Sequence, residues 1–297
     1  MPRRARFAAL GLAFLGFAAF LLVTQPRPSS TEDLQGIAAD AARGERVFTA
    51  AGCASCHMAP GATGAAQRVL AGGMALASPF GTFFAPNISP DPAAGIGGWS
   101  LEQFATALRD GISPEGQHYY PALPWNAYNK MTGQDLADLW AYMQTLPPSA
   151  EPSRPHEVGF PFNIRRALGG WKLLFQNRGW QMAEVPTPEL ERGRYLVEAL
   201  GHCAECHTPR NMLGGLDRSR WLAGAPAPDG KGRIPNLTPG KLTWSEAEIF
   251  AYLTTGFTPE FDSVGGHMAY VVDNMARLPE ADVRAVVAYL KAVPPVQ

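Results

Sequence analysis

The chain has 297 residues and a formal net charge of −1; 17% of its residues are charged, and it contains 31 glycines and 27 prolines. This length predicts two domains, and the abundance of turn residues favours compact helices joined by long loops. The near-neutral charge provides no basic surface for a phosphate backbone, so nucleic-acid binding has no support.

Residues 1–30 are typical of a targeting segment. Arg3, Arg4 and Arg6 precede an uninterrupted apolar stretch, 7–23, whose length lies between a signal-peptide core and a comfortable membrane span. Because no convincing small-x-small cleavage site follows, we expect an uncleaved anchor rather than a removed signal peptide. The positive residues ahead of the span predict a cytoplasmic N-terminus, which places the rest of the chain in the periplasm, attached to a bacterial inner membrane.

Two Cys-x-x-Cys-His runs follow, and they hold all four cysteines: Cys53, Cys56 and His57, then Cys203, Cys206 and His207. Two thiols on one helical turn can each bond a vinyl-derived carbon of a porphyrin, while the adjacent histidine binds the iron. We therefore predict two covalently attached c-type haems with His57 and His207 as proximal ligands. A four-thiolate zinc site is disfavoured, because zinc does not require a histidine directly after both second cysteines. A thioredoxin-like dithiol is disfavoured because the strand–helix context is missing.

The two runs belong to an internal duplication with an offset of about 150 residues. The matching segments are 43–48 with 192–197, 87–90 with 236–239, 99–108 with 244–253, and 135–148 with 282–295. Each repeat is predicted to contain a helix ending in the haem run, a long loop, a middle amphipathic helix and a closing helix. Each closing helix is stopped by a Pro-Pro pair.

No sustained period-two alternation indicates a sheet, so the predicted fold class is all-α, with two tandem class I cytochrome c-like domains. The segments are an N-terminal anchor or signal (1–30), a first domain (31–148), a connector (149–190) and a second domain (191–297). The connector is too aromatic for a free linker, and we expect a strap with a short helix that packs across both domains.

The second haem has an evident candidate for its other axial ligand. Met268 lies in the predicted loop before the closing helix, where a soft thioether could reach the far face of the iron. Met275 and His267 are the alternatives. Histidine–methionine ligation raises the reduction potential of a haem.

The first haem has no such ligand in the corresponding loop, because Leu123 stands there and leucine cannot bind iron. Met131, at the start of the predicted closing helix, is the favoured sixth ligand, since a carrier haem normally needs one to stay low-spin. His118, Met74 and an open position are the alternatives. Met58 directly follows the proximal His57 and faces the wrong side.

Taken together, the chain resembles the bacterial class I-type dihaem cytochromes c, and more narrowly the cytochrome c subunits of periplasmic membrane-bound dehydrogenases. The resemblance rests on the stretches 201–211, 119–125 and 160–165, together with both haem runs. It implies an electron relay from a flavin, quinone-cofactor or molybdenum catalytic subunit to quinone or a terminal oxidase. Family members with an apolar residue at the position of Leu123 carry a methionine in a Lys-Met-Thr segment, which here contains Met131.

The predicted function is electron transfer as a membrane-bound subunit, without substrate turnover by this chain itself. One alternative is a haem redox enzyme whose open or labile first haem acts on peroxide or on a small sulfur or nitrogen substrate. Another is a soluble periplasmic shuttle released by signal cleavage.

Overall fold

A computed structural model describes residues 3–227, 230 and 232–297. Within this part of the chain there are twelve α-helices, with short 3-10 and π-helical turns between some of them. They are α1 (Arg3–Val23), α2 (Ala41–Ala50), α3 (Cys53–His57), α4 (Leu101–Asp110), α5 (Trp125–Tyr128), α6 (Gly133–Met143), α7 (Leu168–Phe175), α8 (Pro188–Tyr195), α9 (Ala204–His207), α10 (Glu246–Thr255), α11 (Met268–Met275) and α12 (Glu280–Ala292).

In the first domain, α2 packs across α6 at very short range. A Cβ atom added to Gly44 would lie 2.0 Å from the carbonyl oxygen of Asp138, so the crossing requires a residue without a side chain. On α6, Leu136, Leu139 and Met143 are buried, which confirms the predicted apolar face of the closing helix.

The second domain repeats this crossing with α8 and α12. Helix α8 continues through a π-helical turn, Leu196–Leu200, toward the second haem run. A Cβ atom on Gly193 would lie 2.0 Å from the carbonyl oxygen of Ala285. The duplicated sequence is therefore a duplicated fold.

The middle helices α4 and α10 fall on the repeated segments that begin at Trp99 and Trp244. Ser100 and Ser245 each form a capping box, in which the serine side chain accepts a hydrogen bond from the third residue of the helix. Gly111 and Gly256 end the helices with φ of 59° and 79°. These are left-handed conformations that glycine adopts without steric cost.

The all-α prediction holds for the core of each domain but omits two small sheets in the loops. Strands β1 (Ala75–Ser78) and β2 (Gly81–Phe84) form an antiparallel hairpin that is extended by β3 (Glu157–Val158). Strands β4 (Ala225–Pro226) and β5 (Arg233–Ile234) form a second pair. Strands of two to four residues are too short to produce a period-two pattern.

The connector contains the predicted short helix, α7, which contacts both domains. The indole of Trp171 packs edge-on against Trp125 of the first domain, with ring centroids 5.7 Å apart. Its Nε1 donates a 2.7 Å hydrogen bond to the carbonyl oxygen of Leu213 in the second domain. The connector is thus a strap and not a flexible linker.

The N-terminal helix α1 is exposed along most of its length and meets the rest of the protein near its C-terminal end. Among the described helices it alone is long and apolar enough to cross a membrane, with a mean hydropathy of 2.1 over an 18-residue window, none of which is buried. Length and composition of this kind are shared by membrane anchors and signal sequences.

Candidate haem sites

Both Cys-x-x-Cys-His runs form a short helix after a tight turn. The residue before the first cysteine is left-handed in each case, Gly52 with φ of 63° and His202 with φ of 39°. This turn redirects the chain out of α2 or out of the π-helical turn, so that both thiols of a run lie on one helical turn. Burial raises the pKa of Cys53 and of Cys203 to about 12, which keeps these thiols neutral at physiological pH.

The two proximal histidines are oriented in the same way. The Nδ1 atom of His57 donates a 2.8 Å hydrogen bond to the carbonyl oxygen of Pro86, and that of His207 donates a 2.8 Å hydrogen bond to the carbonyl oxygen of Pro235. A proton on Nδ1 leaves the lone pair of Nε2 free to bind a metal. Burial also lowers the pKa of both imidazoles, which favours the neutral form that ligates iron.

The loops that carry these two carbonyl groups depend on glycine. The backbone N–H of Gly72 donates 2.7 Å to the carbonyl oxygen of His57, and that of Gly224 donates 2.7 Å to the carbonyl oxygen of His207. Both glycines have positive φ. A Cβ atom added to Gly72 would lie 2.5 Å from the carbonyl oxygen of Ala85, and one added to Gly224 would lie 2.6 Å from that of Ile234. The tight turn therefore sets the position of each proline carbonyl.

Sequence reasoning missed both proline carbonyls, although a signal was available. Pro86 and Pro235 directly precede the repeated Asn-x-Ser/Thr-Pro segments. The asparagine in these segments ties down the chain beyond each closing helix: Asn87 Nδ2 donates to the carbonyl oxygen of Ser149 at 2.8 Å, and Asn236 Nδ2 to that of Val296 at 2.9 Å. A residue that recurs in both halves of a duplicated chain indicates a structural role, even where its side chain has no reactive group.

The residues of both sites fit a covalently bound haem. Each site has two free thiols and an imidazole whose Nε2 is available. In addition, the indole N–H groups of Trp125 and Trp221 are buried without a hydrogen-bond partner among the described residues. An unpaired buried donor costs about 1–3 kcal/mol, and the carboxylates of a haem are acceptors of the kind these donors lack. Bound haem supplies one-electron redox chemistry at iron.

Met268, the predicted sixth ligand of the second haem, is the first residue of α11 rather than part of a loop. It is half-buried and packs against the core of the second domain. Of its alternatives, Met275 is buried on the last turn of α11, whereas the Nε2 atom of His267 lies 3.7 Å from Cys56 Sγ in the first haem run.

Met131, the predicted sixth ligand of the first haem, lies in the core just before α6 and is 3% exposed. Its backbone N–H donates a 3.0 Å hydrogen bond to the carbonyl oxygen of Tyr128. In the second domain the backbone N–H of Leu278 donates a 3.1 Å hydrogen bond to the carbonyl oxygen of Met275. Met131 and Leu278 therefore occupy equivalent positions. Among the alternatives, His118 uses its Nε2 to donate 2.9 Å to the carbonyl oxygen of Thr24.

The two haem-binding segments meet at the interface between the domains. The ring of Tyr128, on α5, packs edge-on against His202, which directly precedes the second haem run, with centroids 5.6 Å apart. In return Asn274, on α11, donates a 3.0 Å hydrogen bond to the hydroxyl of Ser55 inside the first haem run. The short helix before each closing helix thus contacts the haem run of the other domain.

The second cysteine of the first run, Cys56, lies at the boundary with the second domain. Burial raises the pKa of Cys56 to about 11, and the negative charge that Cys206 carries when ionised contributes to the rise. The Nε2 atom of His267, in the second domain, lies 3.7 Å from the Cys56 sulfur. The first haem run therefore also meets the second domain through Cys56.

Comparison with known families agrees with this duplicated architecture. A family model described as "Cytochrome c" matches residues 41–147, which contain the first site. A second one, described as "Cytochrome C oxidase, cbb3-type, subunit III", matches residues 188–290, which contain the second site.

Among curated proteins, a diheme cytochrome c-type protein of Cereibacter sphaeroides is 55% identical over 99% of this chain and 100% of that protein. The fructose dehydrogenase cytochrome subunit of Gluconobacter japonicus is 40% identical over 91% of this chain, which spans 55% of that subunit. The gluconate 2-dehydrogenase cytochrome c subunit of Pantoea cypripedii is 33% identical over 84% of this chain, which spans 59% of that subunit. The chain belongs to the dihaem cytochromes c and carries two covalently bound haem c groups.

Proposed function

We propose that this protein is the membrane-anchored electron-transfer subunit of a periplasmic dehydrogenase. It receives electrons from a catalytic subunit of flavin, quinone-cofactor or molybdenum type and passes them toward the respiratory chain, to quinone or to a terminal oxidase. Relatives that are named as cytochrome subunits of dehydrogenases, including the fructose dehydrogenase cytochrome subunit, support the assignment. The chain performs no substrate turnover of its own.

The observation that carries the proposal is the reciprocal interface between the two haem runs. Tyr128 against His202 and Asn274 against Ser55 hold the two attachment segments face to face. A protein that stored electrons independently at two sites would not need this arrangement. A relay requires it, because the two redox centres must be held at a constant short separation.

The axial ligands define the two centres of the relay. We infer that His207 and Met268 bind the second iron, and that His57 and Met131 bind the first. The hydrogen bonds to Pro86 and Pro235 fix the orientation of both imidazoles, and burial favours their neutral form. Since methionine ligation raises the reduction potential, loss of either methionine is expected to lower the potential of its own haem.

The exposed apolar surface of α1 supports the membrane anchor. Its side chains from Leu10 to Leu15 include residues 64–71% exposed to solvent, and apolar surface of this extent requires a nonpolar environment. We infer that α1 crosses the inner membrane and that both haem domains lie in the periplasm. The intact mass of the mature protein tests this, because an anchor retains residues 1–23.

The decisive experiment is gentle purification of the protein from its native membrane, followed by identification of the co-purifying subunits. A dehydrogenase catalytic subunit at equal stoichiometry, which reduces both haems when its substrate is added, is the expected result. The matched control is Met212→Ala, a change at a fully exposed side chain that should leave the reduction intact. Recovery of the cytochrome alone under conditions that keep other membrane complexes intact would argue against the proposal.

Spectra of two variants test the ligands. Met268→Ala should convert one haem to a high-spin form, and Met131→Ala the other. An unchanged low-spin spectrum in Met131→Ala would remove that residue from consideration. Rapid, stoichiometric carbon monoxide binding by the reduced wild-type protein would instead indicate an open first haem, as in a haem redox enzyme.

A further inference from the structure

The end of α1 is clamped to the body of the protein. The guanidinium of Arg166 donates 2.6 Å to the carbonyl oxygen of Leu21 and 3.0 Å to the hydroxyl of Thr24. His118 donates 2.9 Å to the carbonyl oxygen of Thr24 from the first domain. Thr24 is only 3% exposed, although Val23 beside it is 52% exposed. The helix therefore leaves the protein at one defined point and not through a flexible tether.

Helix α7 forms part of the surface at this point. A Cβ atom on Gly169 would lie 2.5 Å from the carbonyl oxygen of Thr24, and one on Gly170 would be 3.9 Å from its methyl group. By helical periodicity Leu173 and Leu174 lie on this same side of α7, while Trp171 and Phe175 lie on the other and pack on the domains.

The side of α7 that faces the end of α1 is apolar and uncovered. Leu173 and Leu174 are 69% and 70% exposed, and Ile164, just before the helix, is 42% exposed. Exposed aliphatic side chains grouped at the exit of an apolar helix are unusual on a surface that meets only water. We name these three residues the α7 patch.

Positive charge accompanies the α7 patch. Arg27 is exposed just after α1, and Arg165 and Arg166 are half-exposed just before α7. Arginines beside apolar side chains are suited to the boundary between acyl chains and anionic headgroups. A protein partner on the same surface would have to displace the bilayer that surrounds α1 where it leaves the body.

We propose that the α7 patch lies in the interfacial layer of the bilayer that α1 crosses. The proposal rests on the inferred role of α1 as a retained anchor. Because the clamp joins α1 to the first domain and to the connector, it also sets the tilt of the haem domains on the membrane. The first domain is then the one nearest to the membrane.

Single-cysteine variants of the full-length holoprotein test this placement. The four native cysteines are bonded to haem, so Leu173→Cys, Leu174→Cys and the control Met212→Cys each provide one free thiol. Met212 is 94% exposed and belongs to the loop that contacts α7 from the side of Trp171. Each variant is placed in nanodiscs of anionic and zwitterionic phospholipid, and the rates of labelling are followed by intact mass.

With a charged, membrane-impermeant maleimide, labelling at positions 173 and 174 should be slower than at position 212 by about tenfold or more, since a charged reagent does not enter the acyl region. With a lipid-soluble maleimide the three rates should be similar. Equal rates with the charged reagent would overturn the proposal, and slow labelling by both reagents would show a protein cover instead of lipid. Loss of residues 1–23 from the measured mass would overturn the anchor and, with it, this proposal.

Discussion

Replacing Gly44 with alanine is expected to force α2 and α6 apart and to destabilise the first domain. The new Cβ atom would lie 2.0 Å from the carbonyl oxygen of Asp138 and 2.8 Å from the Cβ atom of Tyr142. Ordinary contacts begin at 3.4 Å, so the two helices would have to separate by 1.4 Å. The obstructing oxygen belongs to a helix backbone and cannot turn aside as a flexible side chain would.

The expected loss of stability follows from two opposing effects. Overpacking of a well-packed core costs about 1–3 kcal/mol, and a clash with backbone belongs at the upper end of that range. Alanine recovers about 1 kcal/mol through its higher helix propensity. The net loss is therefore about 2 kcal/mol, which lowers the midpoint of thermal unfolding by about 8 °C for a domain of about 120 residues.

Calorimetry measures the midpoint, and hydrogen exchange of peptides from α2 and α6 locates the change. Gly193→Ala is the matched variant, because its Cβ would lie 2.0 Å from the carbonyl oxygen of Ala285, and it should increase exchange in α8 and α12 instead. Gly265→Ala is the control, since a Cβ there would meet nothing within 4 Å. A midpoint for Gly44→Ala within about 2 °C of the wild type would refute the close crossing of the two helices.

Asn274→Ala should weaken the coupling between the domains by about 1 kcal/mol, because it removes the hydrogen bond to Ser55. Urea unfolding should then show separate midpoints for the two domains. A single unchanged transition would contradict this. Burial lowers the pKa of Lys172 to about 8, whereas in the unfolded chain this side chain keeps its proton to higher pH. The free energy of unfolding should therefore increase between pH 8 and pH 10. Urea unfolding across that range should show a smaller increase in Lys172→Met. A hydrogen bond from Arg109 lowers the pKa of Asp33, so this carboxylate contributes stability above pH 4 that is lost as the pH falls through its folded pKa. Asp33→Asn should remove less than about 1 kcal/mol, since the pair is partly exposed, and a larger loss at pH 7 than at pH 3 is the expected result.

The parts of this protein that depend on local chemistry could be predicted from the sequence. The Cys-x-x-Cys-His runs carry the covalent bonding requirements of haem within five residues, so they identify the cofactor wherever the fold places them. The middle helices are delimited by Ser100, Gly111, Ser245 and Gly256, whose capping preferences act within one helical turn. The duplication then predicted two domains of the same kind.

Contacts between distant parts of the chain could not be predicted, because a side chain gives no indication of which remote backbone atom it will meet. Pro86 and Pro235 orient the proximal histidines from 29 and 28 residues away. The position of His267 beside Met268 makes it a candidate iron ligand, yet its Nε2 atom lies 3.7 Å from Cys56 Sγ of the other domain.

The two haems and the two helical units follow from motifs and caps in the sequence, since these act over a few residues. How the units are joined depends on contacts that form only in the folded protein. The contact of Asn274 with Ser55, and the clamp of Arg166 on the end of α1, link segments separated by 219 and 145 residues. The orientation of the haem runs toward each other, and of the first domain toward the end of α1, results from these contacts.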